Sequence, residues 1–326
     1  MPSFLEMLIN FFRPAPYPKD SAAEPAQITR SRVLVINIDP VMDAAGNTLS
    51  RKMNWKNTSD LLVGFMADLT EASKGLARYE IAQRIDVNEF PAKTDGFRYT
   101  PQTYLDVLNR TAAPHMPQEV NYHALLAEYD ILQKVARNEI DEVWIFGFPY
   151  AGFYESTMAG PGAFWCNAPP LANTAGSKRR FVVMGFSYER GVGEMLEAYG
   201  HRAESILEKT FSKLSGEANL WKRFIRYDKT SPGKAACGNI HFAPNSQADY
   251  DWGNKTPVAS ECYDWLLNFP NFKGDVRVVD ANEWGGGEIR AHHKWWFNHF
   301  PRTAGRQNGI HHNWWQYVVS PQNVIL

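Results

Sequence analysis

Unbroken apolar runs alternate with helical periodicities over the first two-thirds of the chain. Residues 32–38 (RVLVINI) form a β-branched run closed by Asp39-Pro40, the pattern of a buried strand. Residues 59–72 repeat apolar side chains every three to four positions. With Ser59 placed to cap and Asp60 in the first turn, they predict a helix. Residues 78–85 read as a second strand, and strand, helix, strand in about fifty residues points to a βαβ unit. Further on, 122–137 predicts one long helix, 142–147 (EVWIFG) and 181–186 (FVVMGF) two more buried strands, and about 188–212 a second long helix. A Gly/Pro/aromatic stretch, 149–170, separates the last two strands.

Past Pro232 the pattern loosens into loops, a short helix near 260–267, a strand near 276–279 and Gly285-Gly286-Gly287. The order predicts an α/β fold with a central, mostly parallel sheet and flanking helices. One domain spans 31–326: a core of about 31–215 and a long, loop-rich, Trp/His-rich C-terminal cap of about 216–326. Residues 1–30 read as an N-terminal arm and a Pro/Ala-rich linker. The apolar segment 4–12 in that arm suits docking on a partner and offers a route to a homo-oligomer.

Composition narrows the function classes. With 44% hydrophobic and 21% charged residues among 326, a sizeable core forms and wholesale disorder does not. A net charge of −1 without a basic tract argues against nucleic acid as a partner. No apolar run approaches the roughly 18–20 residues of a membrane span. Cys166, Cys237 and Cys262 lack CxxC spacing, so a cysteine zinc site and a disulfide scaffold are both unexpected. The compartment stays open. Segment 4–12 makes a poor signal peptide, while Asn, Trp and Tyr richness points outside the cytoplasm. Ten of the eleven Trp lie from Trp144 onward and seven of the nine His from His201 onward, so the candidate chemistry sits in the C-terminal half.

At 100° per residue, Glu194, Glu197, His201, Glu204 and Glu208 share an arc of about 80° on the 188–212 helix. Val192, Met195, Leu196, Tyr199, Ala203, Ile206 and Leu207 fall opposite. The plain reading is a solvated surface. Against it, like charges at helical spacing repel, and Gly191, Gly193 and Gly200 each cost about 1 kcal/mol inside a helix unless another chain segment comes close. A covered, acidic, His-bearing face calls for a cation. Glu197 and His201 at i,i+4 are expected to ligate a divalent metal, with zinc favoured over manganese or iron. His241 is the first choice to complete the set, His292 or His293 the second. Glu194 or Glu204 would serve as general base.

Strand, loop, strand and then Glu197-Ala198-Tyr199-Gly200-His201 resembles the active-site region of zincin-type metallopeptidases, whose helix carries HExxH. The likeness covers about 140–210. It implies metal binding through Glu197, at the first His position, and His201. Ala198 stands where that family has its catalytic Glu, so the resemblance implies a base from elsewhere. The strings Tyr188-Glu189-Arg190-Gly191-Val192 and Trp284-Gly285-Gly286-Gly287 are similar to those of a bacterial family without assigned activity, and that similarity implies no function.

His292-His293-Lys294-Trp295-Trp296 recurs nineteen residues later as His311-His312-Asn313-Trp314-Trp315. Trp295, Trp296, Trp314 and Trp315 suit core packing, a platform for sugar rings, or a wall that desolvates a carboxyl group. In a strand, one His of each pair would face the site, and His292 or His293 would stabilise a developing oxyanion. Trp252 and Glu155 join the expected substrate wall. Asp249-Tyr250-Asp251-Trp252-Gly253-Asn254 reads as a turn, with calcium binding a weaker option. No GxSxG, GxGxxG or P-loop is present. The expectation is a metal-assisted hydrolase acting on a polymeric substrate, peptide or glycan. The rival readings are a metal-free glycoside hydrolase with paired carboxylates and a non-catalytic carbohydrate-binding or assembly protein.

Overall fold

The structure, a computed structural model, describes residues 25–326. The N-terminal arm, most of the linker and the oligomer contact expected of them lie outside the described residues. The core elements in chain order are β1 (Thr29–Ile38), α1 (Leu49–Lys52), α2 (Thr58–Ala72), β2 (Ala77–Val87), α3 (Pro101–Leu108), α4 (Tyr122–Glu128), α5 (Ile131–Ala136), β3 (Glu142–Gly147), β4 (Ser156–Ala159), β5 (Phe181–Ser187) and α6 (Val192–Thr210). The cap adds α7 (Leu220–Phe224), β6 (Val258–Ser260), α8 (Cys262–Asn268), β7 (Arg277–Val279), α9 (Ile289–Asn298), β8 (Arg302–Gln307), β9 (Ile310–Asn313) and α10 (Trp315–Val319).

The β-branched runs do form a buried sheet, in the order β2-β1-β3-β5-β4. β1, β2, β3 and β5 are parallel, and β4 closes one edge antiparallel to β5. All six residues of β3 are buried, as befits a strand covered on both faces. The expected βαβ unit is β1-α2-β2. Its helix is capped by Asn57, which accepts from the Ser59 amide, and not by Ser59 itself. The expected 122–137 helix is two helices, because Asp130 takes a left-handed conformation (φ 52°) that a continuous helix excludes. Part of the Gly/Pro/aromatic stretch is the strand β4, where Ser156 and Thr157 satisfy their hydroxyls on the carbonyls of Cys166 and Pro169.

α6 carries the site and is locked from three sides, by α2, α9 and α10. Its apolar face, Met195, Leu196, Tyr199, Ala203, Ile206 and Leu207, is buried as the periodicity predicts, each large side chain contributing about 1.5–3 kcal/mol. Arg202 is also fully buried on this helix. Its guanidinium meets Glu142 of β3 at 2.6 Å and donates to the carbonyls of Val318 and Val319 in α10, while Trp144 donates to the other Glu142 oxygen. Gly193 supplies room for α9, since a Cβ there would stand 2.6 Å from Ile289 and 3.2 Å from the Arg290 amide.

The cap corrects the reading of the two HHxWW strings. The first is helical, in α9, so His292 and His293 lie about 100° apart and do not alternate across a strand. The second runs from β9 into α10. Trp296, Trp314 and Trp315 have no exposed surface and fill an aromatic core with Trp221, Phe224, Phe297 and Phe300. Among the described residues, no helix is long and apolar enough to cross a membrane.

Candidate metal centre

Glu197, His201 and His241 meet on the outer face of α6. One ligand atom from each lies within 4.8 Å of the others. Glu197 and His201 are brought together by helical spacing. His241 comes from the cap, and Gly200 lets it approach: a Cβ at 200 would sit 2.3–2.4 Å from two side-chain carbons of Ile240. The Ile240 amide then donates to Glu204 Oε1 at 3.1 Å, pinning the cap segment to the helix. The glycines of α6 therefore mark close approach, as their helix cost foretells.

Each imidazole is held from behind. Glu204 Oε2 lies 3.1 Å from His201 Nδ1, and Asp249 Oδ1 lies 3.0 Å from His241 Nδ1. Both Nε2 atoms are directed to the interior of the site. His241 Nε2 contacts Glu197 Oε1 at 3.1 Å, and His201 Nε2 faces Glu155 Oε2 at 3.9 Å, too long for a hydrogen bond. Carboxylates that fix the far nitrogen of a ligand imidazole are the usual support of a histidine metal site. Tyr250 donates its hydroxyl to Glu197 Oε1 at 2.9 Å and lays its ring over His241, with centroids 4.5 Å apart.

The electrostatics favour a cation. Four carboxylates, Glu155, Glu197, Glu204 and Asp249, surround two imidazoles, so two negative charges remain in the group even when both rings are protonated. Burial opposes charge on His201, but its bond to Glu204 and the nearby carboxylates prevail and raise its pKa. The bond to Glu197 raises the pKa of His241 against burial and the repulsion of His201. Burial alone would lift Glu197, yet the bonds from His241 and Tyr250 bring its pKa below the usual value.

A cleft of about 760 Å³ opens beside the triad and includes Glu155. It lies past the carboxyl ends of β3 and β5, where open α/β sheets place ligands. Phe148, Tyr150, Ser187, Arg190 and Glu194 also line it. Glu155 is set there by a crossing that needs Gly185, whose Cβ would stand 2.4 Å from the Tyr154 carbonyl. Asn167 then steadies the Glu155 carboxylate at 2.8 Å. The opposite wall is clamped by Lys93, a buried ammonium that donates to the carbonyls of Gln118, Tyr150 and Ala151. Burial pushes its pKa down to about 8 despite nearby carboxylates.

The remaining expected residues fall into place around this centre. Glu194 lines the cleft and accepts from the Gly191 amide, closing the N-terminus of α6. Glu204 uses one oxygen on His201 and the other on Ile240. His292 and His293 are fully buried, with Nδ1 atoms 3.0 Å apart, and so cannot touch a substrate as the oxyanion role requires. They form the layer beneath the site: Trp252 stacks on His292 and meets Tyr250 edge-on. The Trp wall is corrected in the same way. Trp296, Trp314 and Trp315 are core, Trp252 is buried, and Trp295 packs on Trp284 and His299. Asp249 and Tyr250, read from the sequence as part of a turn with calcium binding the weaker option, both touch the centre. No protein-family model, curated protein or solved structure matches this chain.

Proposed function

We propose that the protein is a metal-assisted hydrolase of a polymeric substrate, peptide or glycan, that lies in the cleft beside Glu155. The observation that carries this reading is the convergence of Glu197, His201 and His241, with a carboxylate behind each imidazole. Two nitrogens and one oxygen suit zinc first, manganese or iron second. A divalent ion at such a site supplies Lewis acidity and lowers the pKa of the water it holds.

The chain's own residues divide the remaining work. Glu204 and Asp249 fix the ring orientation of His201 and His241. Tyr250 orients the Glu197 carboxylate. Glu155 is the general base. It is half exposed to the cleft, faces the centre, and has its carboxylate steadied by Asn167. Glu204 is left as a positioning residue because both its oxygens are engaged. In this reading, base catalysis moves from the 194 and 204 positions of α6 to the neighbouring loop.

The test is elemental analysis of purified protein by plasma mass spectrometry, wild type beside His201→Ala and His241→Ala. One equivalent of zinc or manganese in the wild type, absent from both variants, is the expected result. Assays on peptide and glycan panels with and without EDTA then follow. Metal content that is nil, or equal in all three proteins, defeats the proposal.

A further inference from the structure

The cleft beside the triad joins an apolar lining to a set of charges, and one of those charges is left over. Phe148, Phe153, Phe186, Met195 and Ala198 supply the apolar part. Each carboxylate on the lining is already engaged. Glu155 accepts from Asn167 at 2.8 Å, Glu194 accepts from the Gly191 amide at 3.0 Å, and Glu189 lies 3.9 Å from Arg190. Arg110 lines the same cleft, and among the described residues its guanidinium meets no carboxylate and no other acceptor. Its backbone is unusual as well. Arg110 follows the C-cap of α3 with φ 62°, left-handed backbone that favours glycine, so a long cationic side chain is carried there at a conformational cost. Tyr150, also on the lining, is held the same way at φ 65°. Backbone strain of this kind gathers at ligand sites.

We infer that this cleft takes the C-terminal end of a peptide, with the free carboxylate on Arg110 and an apolar terminal side chain against Phe153 and Met195. A guanidinium meets a carboxylate through two parallel N–H donors, the pairing for which arginine is best shaped. Arg190 is the lesser partner, since Glu189 already faces it. A glycan fits less well. It carries a hydroxyl on most ring carbons, and each one pressed against Phe148, Phe153 or Met195 without a partner loses its hydration unrepaid. Cleavage rests on the proposed centre, whereas recognition of the carboxylate by Arg110 does not need it. On that reading Glu155 takes a proton from water, whose oxygen bonds to the carbonyl carbon of the last peptide bond. The C–N bond breaks and the proton passes to the departing amine, so a shortened peptide and a free amino acid leave.

The test uses the whole chain, zinc-loaded and metal-free, with binding read from ligand NMR signals on titration. The probes are N-acetyl-phenylalanine and N-acetyl-leucine beside the same two compounds as C-terminal amides. The acids are expected to bind about tenfold or more tightly than their amides, with or without metal. Arg110→Gly suits the left-handed backbone, so its Tm is expected to hold, and it should erase the preference while leaving amide binding and metal content unchanged. Arg110→Gln should do the same and shows that the charge, not the turn, is responsible. Hydrolysis is read on benzoyl-glycyl-phenylalanine beside its amide. An acid preference lost in both variants, with no hydrolysis by zinc-loaded protein, upholds this inference and defeats the hydrolase reading. Metal-dependent cleavage of amidated peptides or glycans, with acid and amide bound equally, does the reverse. An acid preference that survives in both variants or vanishes with the metal overturns the inference, as does a panel from which no acid binds.

Discussion

α6 carries two charged clusters a few residues apart, and they are built on opposite terms. Arg202 and Glu142 form a one-to-one pair with almost no exposed surface, tied to α10 and to Trp144. Glu197, His201 and His241 stand among a surplus of carboxylates, one of which, Glu155, lines the neighbouring cleft. The first cluster balances its charge and belongs to the architecture. The second leaves charge unbalanced and within reach of solvent, the condition under which a cation is worth recruiting. One helix thus shows how to separate a structural ion pair from a candidate site: by stoichiometry of charge and by access, not by the presence of charge.

The comparison breaks most readily at Arg202. Arg202→Ala strands the Glu142 carboxylate and is expected to cost about 3–5 kcal/mol in a denaturant titration. The double change Arg202→Met with Glu142→Leu should regain much of that loss, with metal content unaffected in the protein that folds. Next comes Gly200→Ala, which drives a methyl into Ile240. A loss of about 1–3 kcal/mol and of bound metal together is expected, because the same contact seats His241. Retained stoichiometric metal in that variant would show that the cap segment is not what completes the centre. Smaller still is Asp249→Asn, which keeps the fold and should weaken metal affinity roughly ten- to a hundredfold in a competition titration with a chelator.

The gentlest probe is pH. The raised pKa values of His201 and His241 stabilise the metal-free fold below the unfolded value near 6.5, and that contribution fades as pH climbs through the folded values. Metal requires neutral imidazoles, so the rise in Tm on adding zinc should grow with pH over about 6 to 8. A pH-independent increment would mean the ion binds elsewhere.

The legible part of the molecule is the part governed by local pattern. Residues 142–147 and 181–186 read as strands because β-branched and aromatic runs have few other fates in a buried layer. Glu197 and His201 were readable as neighbours because helical spacing alone sets their separation, whereas His241 was the first choice for a third ligand from a distant segment. Three things were not readable. Glu155 was expected in the substrate wall, but its approach to His201 depends on the crossing at Gly185 and the antiparallel pairing of β4 with β5. Asp249 and Tyr250 arrive by tertiary folding from a segment read as a turn, with calcium binding the weaker option. The Trp pairs mislead because a core and a binding wall draw on the same residue, and only depth tells them apart.

The buried imidazoles beneath the centre have a consequence of their own. His292 and His293 share one Nδ1–Nδ1 contact, which needs a donor on one ring and an acceptor on the other, so the two rings are never both protonated within it. Burial drives His292 down to about 3 and His299 down to about 4, and pushes His293 the same way. An unfolded chain accepts protons on all three below about pH 6.5, while the folded chain refuses them until much lower. Each ring therefore withdraws on the order of 1 kcal/mol per pH unit as the solution acidifies through that interval. The cap is expected to lose stability on acidification, read as a fall in Tm as the pH drops below about 6.5.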